Sequence, residues 1–127
     1  FGLEGECDDL ARRTIPWDDE SLWDVKNLHV YTQWLNLRRT SDALANGGLR
    51  WVHVGDDALV WLRETAHERL LIAAARTATE VIAIDAHEWG LLQATCLHDT
   101  TGSASNNAEA ITSVQFAGAG AKVWRLS

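Results

Sequence analysis

The sequence predicts a mainly β protein, an antiparallel β-sandwich preceded by an irregular loop and one long α-helix. Three observations carry this. After Gly48 the apolar pattern shifts from helical spacing towards a period of two, the alternation of a half-buried strand. From there to the end, seven short β-compatible runs recur at regular spacing, broken by Gly, Asn or polar residues, as in an antiparallel sandwich. Ahead of Gly48, apolar residues stand three and four apart, which marks a helix.

The elements follow in order. Residues 1 to 24 have several turn-forming residues, many carboxylates and no sustained period, so they are expected to form a loop. Asp24 is a plausible N-cap, and Leu28, Tyr31 and Leu35, with Val30, Trp34 and Leu37 alongside, give a helix from Asp24 to Leu44. Gly47-Gly48 stops it. The apolar arc is wider than a single surface stripe, so the helix is expected to pack on two sides. The runs Leu49 to Val54 and Leu59 to Glu64 flank Gly55-Asp56-Asp57, a hairpin turn. Further strands are expected at Arg69 to Arg76, Glu80 to Asp85, Leu91 to His98, Ala110 to Phe116 and Lys122 to Leu126. Thr100 to Ala108, rich in Ser, Thr and Asn, is expected to be a surface loop.

Bulk composition narrows the function classes. The chain has 127 residues, 46% of them hydrophobic, enough for one core of ordinary domain size. A formal charge of −7 with scattered Lys and Arg argues against attraction to nucleic acid or to an anionic membrane. No apolar run is long enough to span a bilayer. Cys7 and Cys96 lie far apart without a Cys-x-x-Cys unit, which suggests neither a disulfide scaffold nor a thiolate metal site and fits a reducing compartment. No cofactor is implied.

Arg12-Arg13-Thr14-Ile15-Pro16-Trp17-Asp18 resembles the Arg-x-x-Pro-Trp-Asp segment after the eighth barrel strand of the α-amylase family, glycoside hydrolase family 13. Phe1-Gly2-Leu3-Glu4-Gly5 looks like the tail of that family's Tyr-Gly-Asp-Glu-x-Gly run. Leu35-Asn36-Leu37-Arg38-Arg39 resembles the Leu-x-x-Leu-Arg pattern of the eighth barrel helix. Gly48-Leu49-Arg50-Trp51 resembles the start of the C-terminal sandwich called domain C. Asp57 to Arg63 looks like its second strand and Glu68 to Ala73 like its third, although Ala74-Ala75-Arg76 stands where Asn residues are common. The resemblance covers residues 1 to about 85 and is carried by the order of the matches.

The resemblance implies a C-terminal piece of a longer enzyme, with residues 1–48 ending the catalytic barrel and residues 49–127 forming domain C. In the family, two carboxylates carry out retaining hydrolysis or transfer at an α-glucosidic bond, and a third assists them. All three lie upstream of the part matched here, so no catalytic residue is assigned and the chain alone is expected to be inactive. Barrel active sites are built from the βα loops, which makes Arg13 and Trp17 candidates for the rim of the substrate site. The implied partners are the catalytic barrel of the same polypeptide and an α-glucan or maltooligosaccharide. Self-association through an uncovered helix face is also expected.

Competing chemistry is weaker. Glu4, Glu6, Asp8 and Asp9 lack the spacing of a calcium loop. His67-Glu68 and His87-Glu88 begin like zincin motifs, but Leu71 and Leu91 occupy the second histidine position. Seven Trp invite an alternative, an independent carbohydrate-binding module, because indole faces stack on sugars. Trp34, Trp51, Trp61 and Trp124 are expected in core or interface positions, while Trp17, Trp23 and Trp89 lie where exposure is easier. Pro16 fixes the backbone ahead of Trp17, which suggests that Trp17 anchors the loop.

Overall fold

The structure, a computed structural model, describes residues 12, 14–100 and 107–127. Two compact units divide between Thr40 and Ser41.

In the first unit a 3-10 turn, Glu20–Leu22, precedes helix α1, Val25–Thr40. Asp24 caps α1: its Oδ1 accepts the Asn27 N–H at 3.0 Å and its carbonyl accepts that of Leu28. Arg38 and Arg39 occupy the last turn, where positive charge suits the helix dipole. No residue of α1 is buried.

The expected single helix to Leu44 breaks after Thr40. Ser41 is extended (φ −116°, ψ 119°), and its Oγ accepts the Leu44 N–H, capping a separate five-residue helix α2, Asp42–Asn46. A serine hydroxyl offers the backbone a partner that competes with helix continuation, and the apolar periodicity runs through this break without registering it.

The second unit is the antiparallel β-sandwich. Its main sheet has the order β1-β2-β3-β8-β5-β6. The strands are β1 Gly48–Val54, β2 Ala58–Glu64, β3 Arg69–Ala75, β5 Ala94–Asp99, β6 Ala108–Glu109 and β8 Gly120–Leu126. The short pair β4 Ile82–Ala83 and β7 Ser113–Val114 forms a second sheet. Every strand pairing is antiparallel.

Register decides which side chains form the core. Leu62 pairs with Leu71, which pairs with Trp124, and Val60 pairs with Ala73; all belong to one buried cluster. The second layer supplies Ile82, Ile84, Leu91, Ile111, Val114 and Phe116. Between β4 and β5 lies a one-turn helix α3, Ala86–Trp89, which interrupts a region expected to be strand and loop. Asp85 caps it, accepting the His87 and Glu88 N–H groups at 2.9 and 3.0 Å. Gly90 ends it at φ +67°, a left-handed conformation that favours glycine. A Cβ there would also stand 3.0 Å from the Arg69 guanidinium.

The described strands number eight, within the seven or eight expected of the sandwich. The runs at Glu80 to Asp85 and Ala110 to Phe116 shrink to two-residue ladders, while the added β6 pairs with β5. Among the described residues no helix is long and apolar enough to cross a membrane.

Leu62 on β2 is fully buried in the core, so Leu62→Ala is expected to destabilise the fold by about 2–5 kcal/mol. Urea unfolding measures this, and a loss below about 1 kcal/mol would mean the core is not packed as described.

Candidate functional site

The site expected from the sequence centres on the loop before α1. Arg13, its principal candidate, lies outside the described residues, as do Cys7 and the acidic group Glu4 to Asp9. Trp17 is 66% exposed. Its ring meets Trp23 edge to face, with centroids 5.9 Å apart, an arrangement favoured by the aromatic quadrupole.

Trp23 ties the loop by a hydrogen bond. The Trp23 indole N–H donates to the Pro16 carbonyl at 2.8 Å, and the residue is half-buried. Asp19 stiffens the same loop, accepting both the N–H and the hydroxyl of Ser21. The loop thus presents one indole to solvent on a base tied by the other.

A second candidate is an open cleft of about 680 Å³ beside the β1–β2 turn, lined by His53, Asp56, Asp57, Thr79, Glu80 and Val81 among others. Two of these polar groups are already engaged. Arg76 Nε donates to Asp57 at 2.7 Å, and the Thr79 hydroxyl accepts the Phe116 N–H at 3.1 Å. The surface is rich in acceptors suited to ligand hydroxyls, but the contacts around it link no nucleophile to a base. Among the described residues no three His, Cys, Asp or Glu side chains could together hold a metal ion. Cys96 is free, with its Sγ 3.6 Å from the His98 carbonyl oxygen.

The strongest charged cluster is structural. Arg50 on β1 makes a two-point contact with Glu64 on β2 at 3.0 and 3.1 Å, and Arg69 on β3 donates to the same carboxylate at 2.8 Å. Arg69 also donates to the Trp89 carbonyl, while the Arg50 guanidinium lies 5.0 Å from the centre of the Trp89 ring. Burial pushes the Glu64 carboxyl up, but the bonds and charges of Arg69 and Arg50 more than offset this and hold it below its ordinary value. Sequence reading missed this cluster because its members come from four elements.

The Trp residues follow expectation only in part. Trp124 is buried in the core, but Trp51 is 48% exposed, packed edge to face on Trp61 at 6.0 Å. Trp51 pairs with Trp61, which alternates along β2 with the core residues Val60 and Leu62, so both rings fall on the opposite face. Trp89, expected to be open, sits beneath Arg50.

This architecture is the β-sandwich of the domain C type found in glycoside hydrolases. Its fold is shared with isomaltulose synthase from Klebsiella sp. LX3, at 20% identity and a TM-score of 0.60. It is also shared with trehalulose synthase MutB from Pseudomonas mesoacidophila MX-45, at 14% identity and a TM-score of 0.61. Both are α-amylase-family enzymes. In each case the likeness covers 76% of this chain and 17% of the other. No protein-family model and no curated protein sequence matches the chain.

The loop geometry gives an expected order of exchange. The indole N–H of Trp23, bonded to Pro16, exchanges more slowly than that of exposed Trp17 in hydrogen-exchange NMR. Equal rates, or the reverse order, would show that Trp23 does not hold the loop.

Proposed function

We propose that the chain is the non-catalytic C-terminal part of an α-glucan-acting glycoside hydrolase of the α-amylase family. The observation that carries this is the agreement between an ordered series of sequence matches and a fold shared with two enzymes of that family. In this reading residues 1–48 end the catalytic barrel and residues 49–127 brace it. The acids that act on the glycosidic bond belong to the preceding part of the polypeptide. Arg13 and Trp17 lie on the rim of its active site, where an exposed indole can stack on a sugar ring and a guanidinium can hold hydroxyls in a fixed fork. MutB structures hold glucose or the substrate sucrose, which supports a carbohydrate substrate for the parent.

A second reading, an independent carbohydrate-binding module, draws on the exposed indoles of Trp17 and Trp51. Two measurements separate the readings. The 127-residue chain is expected to leave a chromogenic α-glucoside intact and to give no saturable heat with maltooligosaccharides. Saturable binding abolished by Trp51→Ala would establish the module, and turnover that survives purification and scales with the chain would overturn the non-catalytic reading.

Helix α1 bears on the expected partner. Val25, Val30, Tyr31 and Leu35 are all exposed along it, an apolar surface that the barrel would cover in the parent. The chain by itself is expected to self-associate, with its scattering mass rising with concentration, and the double variant Tyr31→Lys, Leu35→Lys is expected to shift it to monomer. A strict monomer at every concentration would count against a helix face built for cover.

A further inference from the structure

Helix α2 is too short to be stable by its own hydrogen bonds, since isolated helices need more than about twelve residues even in favourable sequences. It spans five residues and is held by side chains of the β2–β3 hairpin. At its N-terminal end, Glu68 Oε2 accepts the Ser41 hydroxyl at 2.8 Å and the Ala43 N–H at 2.9 Å. At its C-terminal end, Arg63 on β2 donates to the Ala43 carbonyl at 3.1 Å and the Leu44 carbonyl at 3.4 Å. A negative group at the first end and a positive group at the second both suit the helix dipole.

The two ends differ in chemistry. Arginine keeps its charge at every relevant pH, whereas a carboxylate loses its charge in acid. Glu68 is itself well fixed: its N–H donates to the Thr65 hydroxyl, its carbonyl accepts the Thr65 N–H, and its other carboxylate oxygen lies 3.4 Å from Arg125 on β8. Its side chain is 16% exposed and Ser41 is 3% exposed, so water reaches this joint poorly.

We propose that Glu68 is an acid-released latch: its ionised carboxylate holds Ser41–Gly47 against the sheet, and its protonation frees this segment while the sheet remains folded. Protonation removes the charge that pairs with Arg125 and the anionic acceptor shared by Ser41 and Ala43. Such charge-assisted bonds are about twice as strong as neutral ones. Among the described residues Arg125 from β8 is the charged group that contacts this carboxylate, while Arg63 on β2, Asp42 on α2 and His67 in the turn are the charged or titratable residues of the elements that it joins. Asp42 is engaged by the Asn46 amide at 2.8 Å, and neither Asp42 nor His67 bonds to the latch in this arrangement.

The direction of the pH effect follows from linkage. Burial pushes the Glu68 carboxyl up, but the Ala43 N–H, the Ser41 hydroxyl and Arg125 together bring it below its ordinary value. A carboxylate lowered by folding contributes stability that is complete above its unfolded pKa and disappears as pH falls through the lower folded value. The segment is therefore closed at neutral pH and released in acid.

The test is amide hydrogen exchange and NMR titration of the 127-residue chain. On lowering the pH from about 6 to about 3, protection at Leu44, Ala45 and Gly47 should fall at least tenfold after correction for intrinsic exchange, while Leu62 and Leu71 stay within about twofold. The Ala43 amide resonance should follow the same step. In Glu68→Gln the step should vanish, and in His67→Gln and Asp42→Asn it should persist. A step that survives in Glu68→Gln overturns the proposal, and so does its loss in either neighbour variant. Simultaneous loss of protection in α2 and β3 in the unsubstituted chain also overturns it, a readout that holds even if Glu68→Gln fails to fold.

Discussion

The pairing of β2 with β3 and of β3 with β8 is the constraint on which the rest of the second unit depends. Strand side chains alternate between faces, so this register aligns Leu62, Leu71 and Trp124 in one row of the core. It also aligns Glu64, Arg69 and Leu126 at the end of that face. A slip of one residue in either strand would turn its leucines out of the core and its polar residue away from the partner's. The Arg50, Glu64 and Arg69 cluster then closes the end of the core, two guanidiniums sharing one carboxylate, and its link to Trp89 ties the second layer to the first.

The short helices depend on this frame. Neither α2 nor α3 is long enough to persist alone, and each is fixed by groups that the sheet holds in place. Glu68 and Arg63 hold opposite ends of α2. The guanidinium of Arg69 reaches the last carbonyl of α3 and lies against Gly90, which ends it. Local structure at these points follows from tertiary position more than from propensity, and it responds to the charge state of the groups that impose it.

Long, strongly patterned elements were legible in the sequence. The alternation at Leu49 to Val54, Leu59 to Glu64 and Arg69 to Arg76 matches β1, β2 and β3 to within a residue at either end. Spacing did not reveal where Ser41 turns the chain, because a cap depends on one hydroxyl and periodicity ignores it. It did not reveal α3, whose signals are Asp85 before it and Gly90 after it, in a run too short to show a period. In the loop before α1, Trp23 as an anchor was not legible. That role needs an indole N–H delivered to a carbonyl seven positions earlier.

The sequence by itself determined the class of this protein: a helix followed by an antiparallel sandwich, with a loop resembling the end of a glycosidase barrel. These properties reside in local pattern and in short motifs, which survive without knowledge of neighbours. Only the tertiary structure decided which aromatic rings are covered, which strand lies at the edge, and which charges meet. Trp51 is open and Trp89 partly covered because β1 ends the sheet and Arg50 crosses to the second layer. Such outcomes depend on contacts between residues distant in sequence, and no single segment encodes them.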